Sequence, residues 1–148
     1  MNSDGDPTTT AERRIRVLHA MDLTSQTLGI VLEKVSPGRA SVWMRVAETM
    51  VNGYGIAHGG YLFLLADVAF SYACNTHGLV NVASSAQVTF LRPVEVGEKL
   101  IAEAVERTRY GRSGIYDVTV QRPDGVTVAE FRGQSQMLTS ELVVALPE

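Results

Sequence analysis

Residues 52–78, NGYGIAHGGYLFLLADVAFSYACNTHG, decide the fold. The stretch opens as a glycine-broken loop, turns at His58-Gly59-Gly60 and continues as an apolar run in which Asp67 is the only charged residue between Gly60 and Thr76. A helix that is apolar on every side is buried inside a protein, so the rest of the chain is expected to wrap it. Asp67 then stands where a carboxylate is costly and must be paired, hydrogen-bonded or shifted in pKa. Gly78 is the expected C-cap of this helix.

On either side of the helix the pattern changes. Residues from about Thr10 to Met21 carry Ile15, Leu18 and Met21 at a helical spacing behind a run of threonines, which predicts a short amphipathic helix. Residues 29–35 and 40–46 are strand-like, and Ser36-Pro37-Gly38-Arg39 between them is a turn, so they form a hairpin. After the helix the period becomes two: 82–91, 100–108, 115–121 and about 126–138 read as a meander of four strands. The result is an α+β chain, an antiparallel sheet of five to six strands around one long central helix.

A chain of 148 residues makes one domain with a single core, here residues 10–148 behind a polar, flexible tail at 1–9. Thirteen basic and sixteen acidic residues are scattered singly for a net charge of −3, and no basic face suggests nucleic acid. The apolar run is shorter than the ~20 residues a membrane span needs. One cysteine, Cys74, and no apolar leader fit a reducing cytoplasm. No P-loop, nucleophile elbow, dinucleotide fingerprint or metal-ligand spacing is present, so neither a metal nor a cofactor is expected.

The chemistry concentrates at Asn52, Gly59 and Asp67. A helix N-terminus offers unpaired N–H groups and a positive dipole end, and glycines at 59 and 60 let a ligand approach that backbone, which suits an oxygen gaining negative charge in acyl transfer. Asp67 lies eight residues beyond Gly59, about 12 Å along one helix. One carbonyl cannot reach both. If they serve one reaction, Gly59 of one subunit meets Asp67 of another, with two helices antiparallel across a two-fold axis, and the expected partner is a second copy of the chain. Plainer readings stand beside this one. A buried aspartate is as readily a structural partner, His58 reads better as a capping or core-edge residue, Asn52-Gly53 can be only a turn, and Ser71, one turn past Asp67, often bonds backbone.

Asn52, HGGYLF at 58–63, LADVAFSYACN at 65–75, VASS at 82–85 and FLRP at 90–93 together resemble the hotdog-fold acyl-CoA thioesterases, and within them those of phenylacetic acid degradation. The resemblance runs from about Met50 to Met137. It implies a dimer, commonly a dimer of dimers, acting on an acyl-CoA such as phenylacetyl-CoA or hydroxyphenylacetyl-CoA, with coenzyme A as part of substrate and product. It implies Asp67 as nucleophile or base for water, the Gly59 N–H as donor to the thioester oxygen, and Asn52 as the residue placing the carbonyl or water from the opposite subunit. Ser71, Ser84 and Ser85 are alternatives for supporting the carboxylate. His58 and Gly60 belong to the substrate-binding side. Arg92, Arg109 and Arg112, with Gly111 and Ser113 in a turn, are candidate contacts for the nucleotide end of coenzyme A, since arginine suits phosphate. Two other readings of the same fold remain: a hydratase or dehydratase of acyl thioesters using His58 with Asp67, and a non-catalytic acyl-CoA-binding module.

Overall fold

The computed structural model describes residues 6–138. Helix α1 (Pro7–Met21) starts earlier than expected. Asp6 caps it through a hydrogen bond from the Thr8 N–H, and Pro7 fits the first turn, where a missing N–H costs nothing. Thus residues 7–9 of the expected tail are helical, whereas 1–5 lie outside the described residues. A second helix, α2 (Leu23–Leu28), was not expected. Asp22 caps it by accepting from the Ser25 N–H at 3.0 Å, and Gly29 ends it in the left-handed region at φ +70°.

The hairpin forms as β1 (Val31–Ser36) and β2 (Arg39–Arg45), followed by a 3-10 turn at Glu48–Met50 and the long helix α3 (Gly59–Cys74). The cap of α3 is Asn75 and not Gly78. Asn75 Nδ2 donates to the Ser71 and Asn81 carbonyls while its Oδ1 accepts from the Asn81 N–H, so an asparagine side chain ties the helix end to the next strand. Strands β3 (Asn81–Phe90), β4 (Lys99–Tyr110), β5 (Ser113–Gln121) and β6 (Thr127–Met137) complete a six-stranded antiparallel sheet in the order β1-β2-β4-β5-β6-β3. The meander is therefore three strands, β4 to β6. β3 crosses to the far edge and pairs with β6, from Asn81 opposite Met137 to Phe90 opposite Ala129.

The core lies between α3 and the concave face of the sheet. Val42, Leu100, Ala102, Val118, Val120 and Phe131 meet Leu62, Leu65, Ala66, Ala69 and Phe70, all buried. Each fully buried leucine or phenylalanine stabilises the fold by roughly 2 kcal/mol. Gly133 lets the helix come close, since a Cβ there would sit 2.8 Å from the Phe70 ring. α1 packs along β1, while the β3 edge has no further strand among the described residues. One stripe of α3 also stays partly open. Gly60 is exposed, and Phe63, Leu64, Asp67 and Ser71 are half-buried; helical spacing puts all five on one face. The sheet thus covers most of α3 and leaves the side that carries Asp67 partly open.

Candidate active site

The loop before α3 is built by Asn52. Its Oδ1 accepts from the N–H groups of Tyr54 at 2.9 Å and Ile56 at 3.3 Å, and its backbone N–H donates to the Ile56 carbonyl at 2.8 Å. Gly55, at φ +77°, supplies the left-handed residue that this tight turn requires. His58 then stands at the N-cap with an exposed ring that makes no capping hydrogen bond, so the expected capping role is not found. Gly59 is the first helical residue, where the N–H has no intrahelical acceptor. The ring of Phe90, from the end of β3, covers its Cα. A Cβ at position 59 would lie 2.7 Å from Phe90 Cζ. Asn52, Gly59, Leu62, Phe90, Leu91 and Arg92 line a cleft of about 440 Å³ at this end of the helix. Arg92 is held at its mouth by a hydrogen bond from Nη1 to the Thr127 carbonyl.

Asp67 is not in that cleft. It sits in the middle of the open stripe of α3, about 12 Å from Gly59 along the helix axis, with no hydrogen bond or ion pair to any described residue. Burial raises its pKa above the ordinary aspartate range, and the negative charge of Asp22 raises it further. Asp22 is itself held ionised. Its carboxylate accepts from the Ser25 N–H, the Ser25 hydroxyl at 2.8 Å and the Tyr72 hydroxyl at 2.8 Å, and these bonds outweigh its own desolvation. An unpaired carboxylate with a raised pKa, open on one side, suits a base or nucleophile better than a structural ion pair.

The other candidates are distributed. Ser71 follows Asp67 on the same stripe, and its carbonyl accepts from Cys74 Sγ and Asn75 Nδ2. Ser84 and Ser85 lie on the exposed edge strand, where Ser84 Oγ donates to the Gln134 carbonyl at 3.0 Å and Ser85 Oγ to Gln134 Oε1 at 3.3 Å. Gly111, Arg112 and Ser113 share a smaller cleft of about 190 Å³ with Cys74, His77 and Tyr116, at the opposite end of α3 from Asn52 and Arg92. Arg109 also lines it, 3.4 Å from a Glu106 carboxylate that His77 and Tyr116 approach to 2.9 and 2.8 Å. Burial pushes the Cys74 thiol up to about 12, which leaves it protonated and unreactive. A wider cleft of about 700 Å³, lined by Glu12 of α1, the β1–β2 hairpin and β4, contains none of the candidates. Among the described residues no group of three or more His, Cys, Asp or Glu side chains is placed to hold a metal ion. No helix among the described residues is long and apolar enough to cross a membrane.

Sequence reasoning missed two contributors. Phe90 was legible as the aromatic end of an alternating strand and as part of the FLRP stretch, and nothing in the sequence brings it against Gly59. Asp22 lies 45 residues before Asp67, and only the packing of the α1–α2 junction on α3 brings its charge to bear.

Residues 54–129 match the model of the thioesterase superfamily. The acyl-coenzyme A thioesterase PaaI of Escherichia coli K12 is 43% identical over 123 residues, covering 81% of this chain and 88% of that protein. A solved structure of the E. coli PaaI protein, from the phenylacetic acid degradation operon, superposes with a TM-score of 0.88 at 38% identity and covers 90% of this chain and 97% of that one. A mutant of the phenylacetic acid degradation protein PaaI from Thermus thermophilus superposes at 0.76 with 37% identity, over 79% and 100% of the two chains. With this sequence match, a six-stranded sheet around α3 and an HGG turn at the helix start, the chain belongs to the thioesterase superfamily as a hotdog-fold thioesterase.

Proposed function

We propose that the chain hydrolyses an acyl-CoA thioester of the phenylacetyl or hydroxyphenylacetyl class to free acid and coenzyme A, at two sites shared across a homodimer that pairs again into a tetramer. The observation that carries this reading is the separation of Asp67 from the Asn52–Gly59 cleft. Each chain holds a partly open carboxylate outside this cleft, and the cleft itself is lined by no carboxylate. A second copy, its α3 antiparallel to the first, supplies what each half lacks. The open stripe of α3 and the unpaired edge of β3 support this partner, since an exposed strand edge is a template for pairing. The acyl class rests on the phenylacetic acid degradation proteins named above.

At such a site the Gly59 N–H of the partner subunit donates to the thioester oxygen as it becomes an oxyanion, aided by the positive end of its helix. Asp67 attacks the carbonyl carbon, releasing the thiolate and leaving an anhydride that water opens, or it takes the proton of the attacking water. Either route ends in free acid and a thiol. Thiolate leaves readily, so no Ser-His-Asp triad is required. Asn52 of the partner subunit places the carbonyl or the water, with His58 and Gly60 beside the entering substrate. Ser71, Ser84 or Ser85 supports the carboxylate, and Arg112, with Gly111 and Ser113, and Arg92 of the partner subunit meet the nucleotide phosphates.

The test is thiol release from a panel of CoA thioesters by the wild type and Asp67→Asn. Phenylacetyl esters should be cleaved fastest, and Asp67→Asn should lose about 10²–10⁴-fold in rate, the usual worth of a positioned base. Full rate in Asp67→Asn would refute the assignment. Turnover of enoyl-CoA without thiol release would favour a hydratase, and tight binding without turnover a binding module.

A further inference from the structure

If Gly59 of each subunit meets Asp67 of the other, the two-fold axis must cross α3 halfway between them. Phe63 is the residue four positions from each, about 6 Å along the helix from both. It belongs to the open stripe and lies 40° around the helix from Asp67 at 100° per residue. Its ring rests edge-to-face on Phe131 of β6, with centroids 5.4 Å apart, on the side of the sheet where β3 ends the strand order. The half-buried Phe63 and Leu64 are the large apolar side chains of this stripe, packed against the core on one side and left partly exposed on the other.

We propose that Phe63 stands on the two-fold axis of the working dimer, where it packs against Phe63 of the partner subunit and forms the wall between the two acyl sites. This rests on the shared-site reading above and adds its register. In that register every other position of the stripe is offset from its own symmetry mate. The mates at Asp67 are about 12 Å apart along the axis, and those at Ser71 about 24 Å. Two rings back to back on the axis close off the space between the sites and limit how far an acyl group extends past the attacked carbonyl. The acyl chain of one site and that of the other are then separated only by these rings.

Cross-linking through one introduced cysteine reads the register directly. Helices packed at about 8–10 Å bring facing Cα atoms to about 4–5 Å, within the reach of a disulfide. Native Cys74 is buried and gives the background. Under mild oxidation Phe63→Cys should form a covalent dimer and Ser71→Cys should not. Leu64→Cys, one position from the axis, should also link and serves if Phe63→Cys misfolds. A light-scattering dimer in which Ser71→Cys links, or in which neither Phe63→Cys nor Leu64→Cys does, overturns this inference and leaves the shared site standing. A catalytically active monomer overturns both. As a second readout, Phe63→Ala should raise the kcat/KM ratio of phenylbutyryl-CoA to phenylacetyl-CoA by about tenfold, the scale on which apolar pockets discriminate. An unchanged ratio overturns the role of the ring as a wall.

Discussion

Replacing Gly59 by alanine separates the stability of the helix start from its chemistry. The backbone there is not left-handed, so alanine fits the local conformation, and exchanging glycine for alanine in a helix favours folding by up to ~1 kcal/mol. The new methyl would lie 2.7 Å from Phe90 Cζ and 3.0 Å from both Cε atoms, against about 3.5–4.0 Å for a relaxed carbon contact. The ring must therefore retreat by about 1 Å. Phe90 is 51% exposed, so it can swing outward at a cost of about 0.5–1.5 kcal/mol for an off-rotamer side chain. The two effects nearly cancel, and Tm should move by no more than about 4 °C. Activity should not survive so well. The methyl and the displaced ring both intrude on the cleft beside the N–H, and a misplacement of about 1 Å costs on the order of 10²-fold in rate. Differential scanning calorimetry and thiol-release kinetics test the two halves. Adding Phe90→Ala should recover part of the rate by freeing the space. Full activity in Gly59→Ala, or a drop in Tm beyond about 10 °C, would refute the reasoning.

Asp67→Asn should raise the stability of the protein at neutral pH while removing activity, because a raised carboxyl pKa means that ionisation opposes folding. In the wild type the favourable contribution of the protonated Asp67 is complete below the unfolded value near 3.9 and is lost as pH rises through the higher folded value. The Tm gap between the two proteins should thus widen over that window, and a gap independent of pH would contradict it. The same protonation should make kcat/KM of the wild type fall on the acid side with an inflection above 3.9. Asn52→Asp keeps the oxygen that accepts from Tyr54 and Ile56, whereas Asn52→Ala loses it. Aspartate should hold Tm within about 2 °C and alanine lower stability by roughly 1 kcal/mol, with rate lost in both because the amide NH₂ is gone. Tyr72→Phe removes a hydroxyl that donates to Asp22 and lies 2.8 Å from His19 Nδ1 in a site 1% exposed, which should lower Tm by roughly 5 °C.

The helix, its HGG start and most strand bounds were legible because each rests on a local pattern: an unbroken apolar run, a glycine turn, a period of two. The place of β3 was not. Strands adjacent in sequence usually pair, and the meander reading applied that rule where the chain instead crosses to the far side of β6. α2 carried a local signal that went unused, Asp22 three residues before Ser25 and Gly29 at the end. Asn75 displaced Gly78 as the cap because its side chain reaches Asn81, a contact that spacing does not reveal. At the site, residues on one segment were found together: Asn52 and Gly59 share a cleft. Residues joined only by tertiary packing, Phe90 over Gly59 and Asp22 near Asp67, were out of reach of any pattern. The apolar character of α3 predicted a helix buried on most of its faces, and the face that the described chain leaves partly open is the Asp67 stripe.

Whether Asp67 and Gly59 of different subunits make one site can be measured by mixing two inactive proteins. Asp67→Asn and Gly59→Ala chains, differently tagged, are unfolded together, refolded, and the hybrid dimer purified through both tags. A shared site leaves each hybrid with one intact pair, Asp67 from one chain and Gly59 from the other, and one pair doubly damaged. Hybrids should then regain about half the wild-type rate per dimer. If both residues instead serve a site within their own chain, every site in the hybrid carries one lesion, and the hybrid will stay as inactive as its parents.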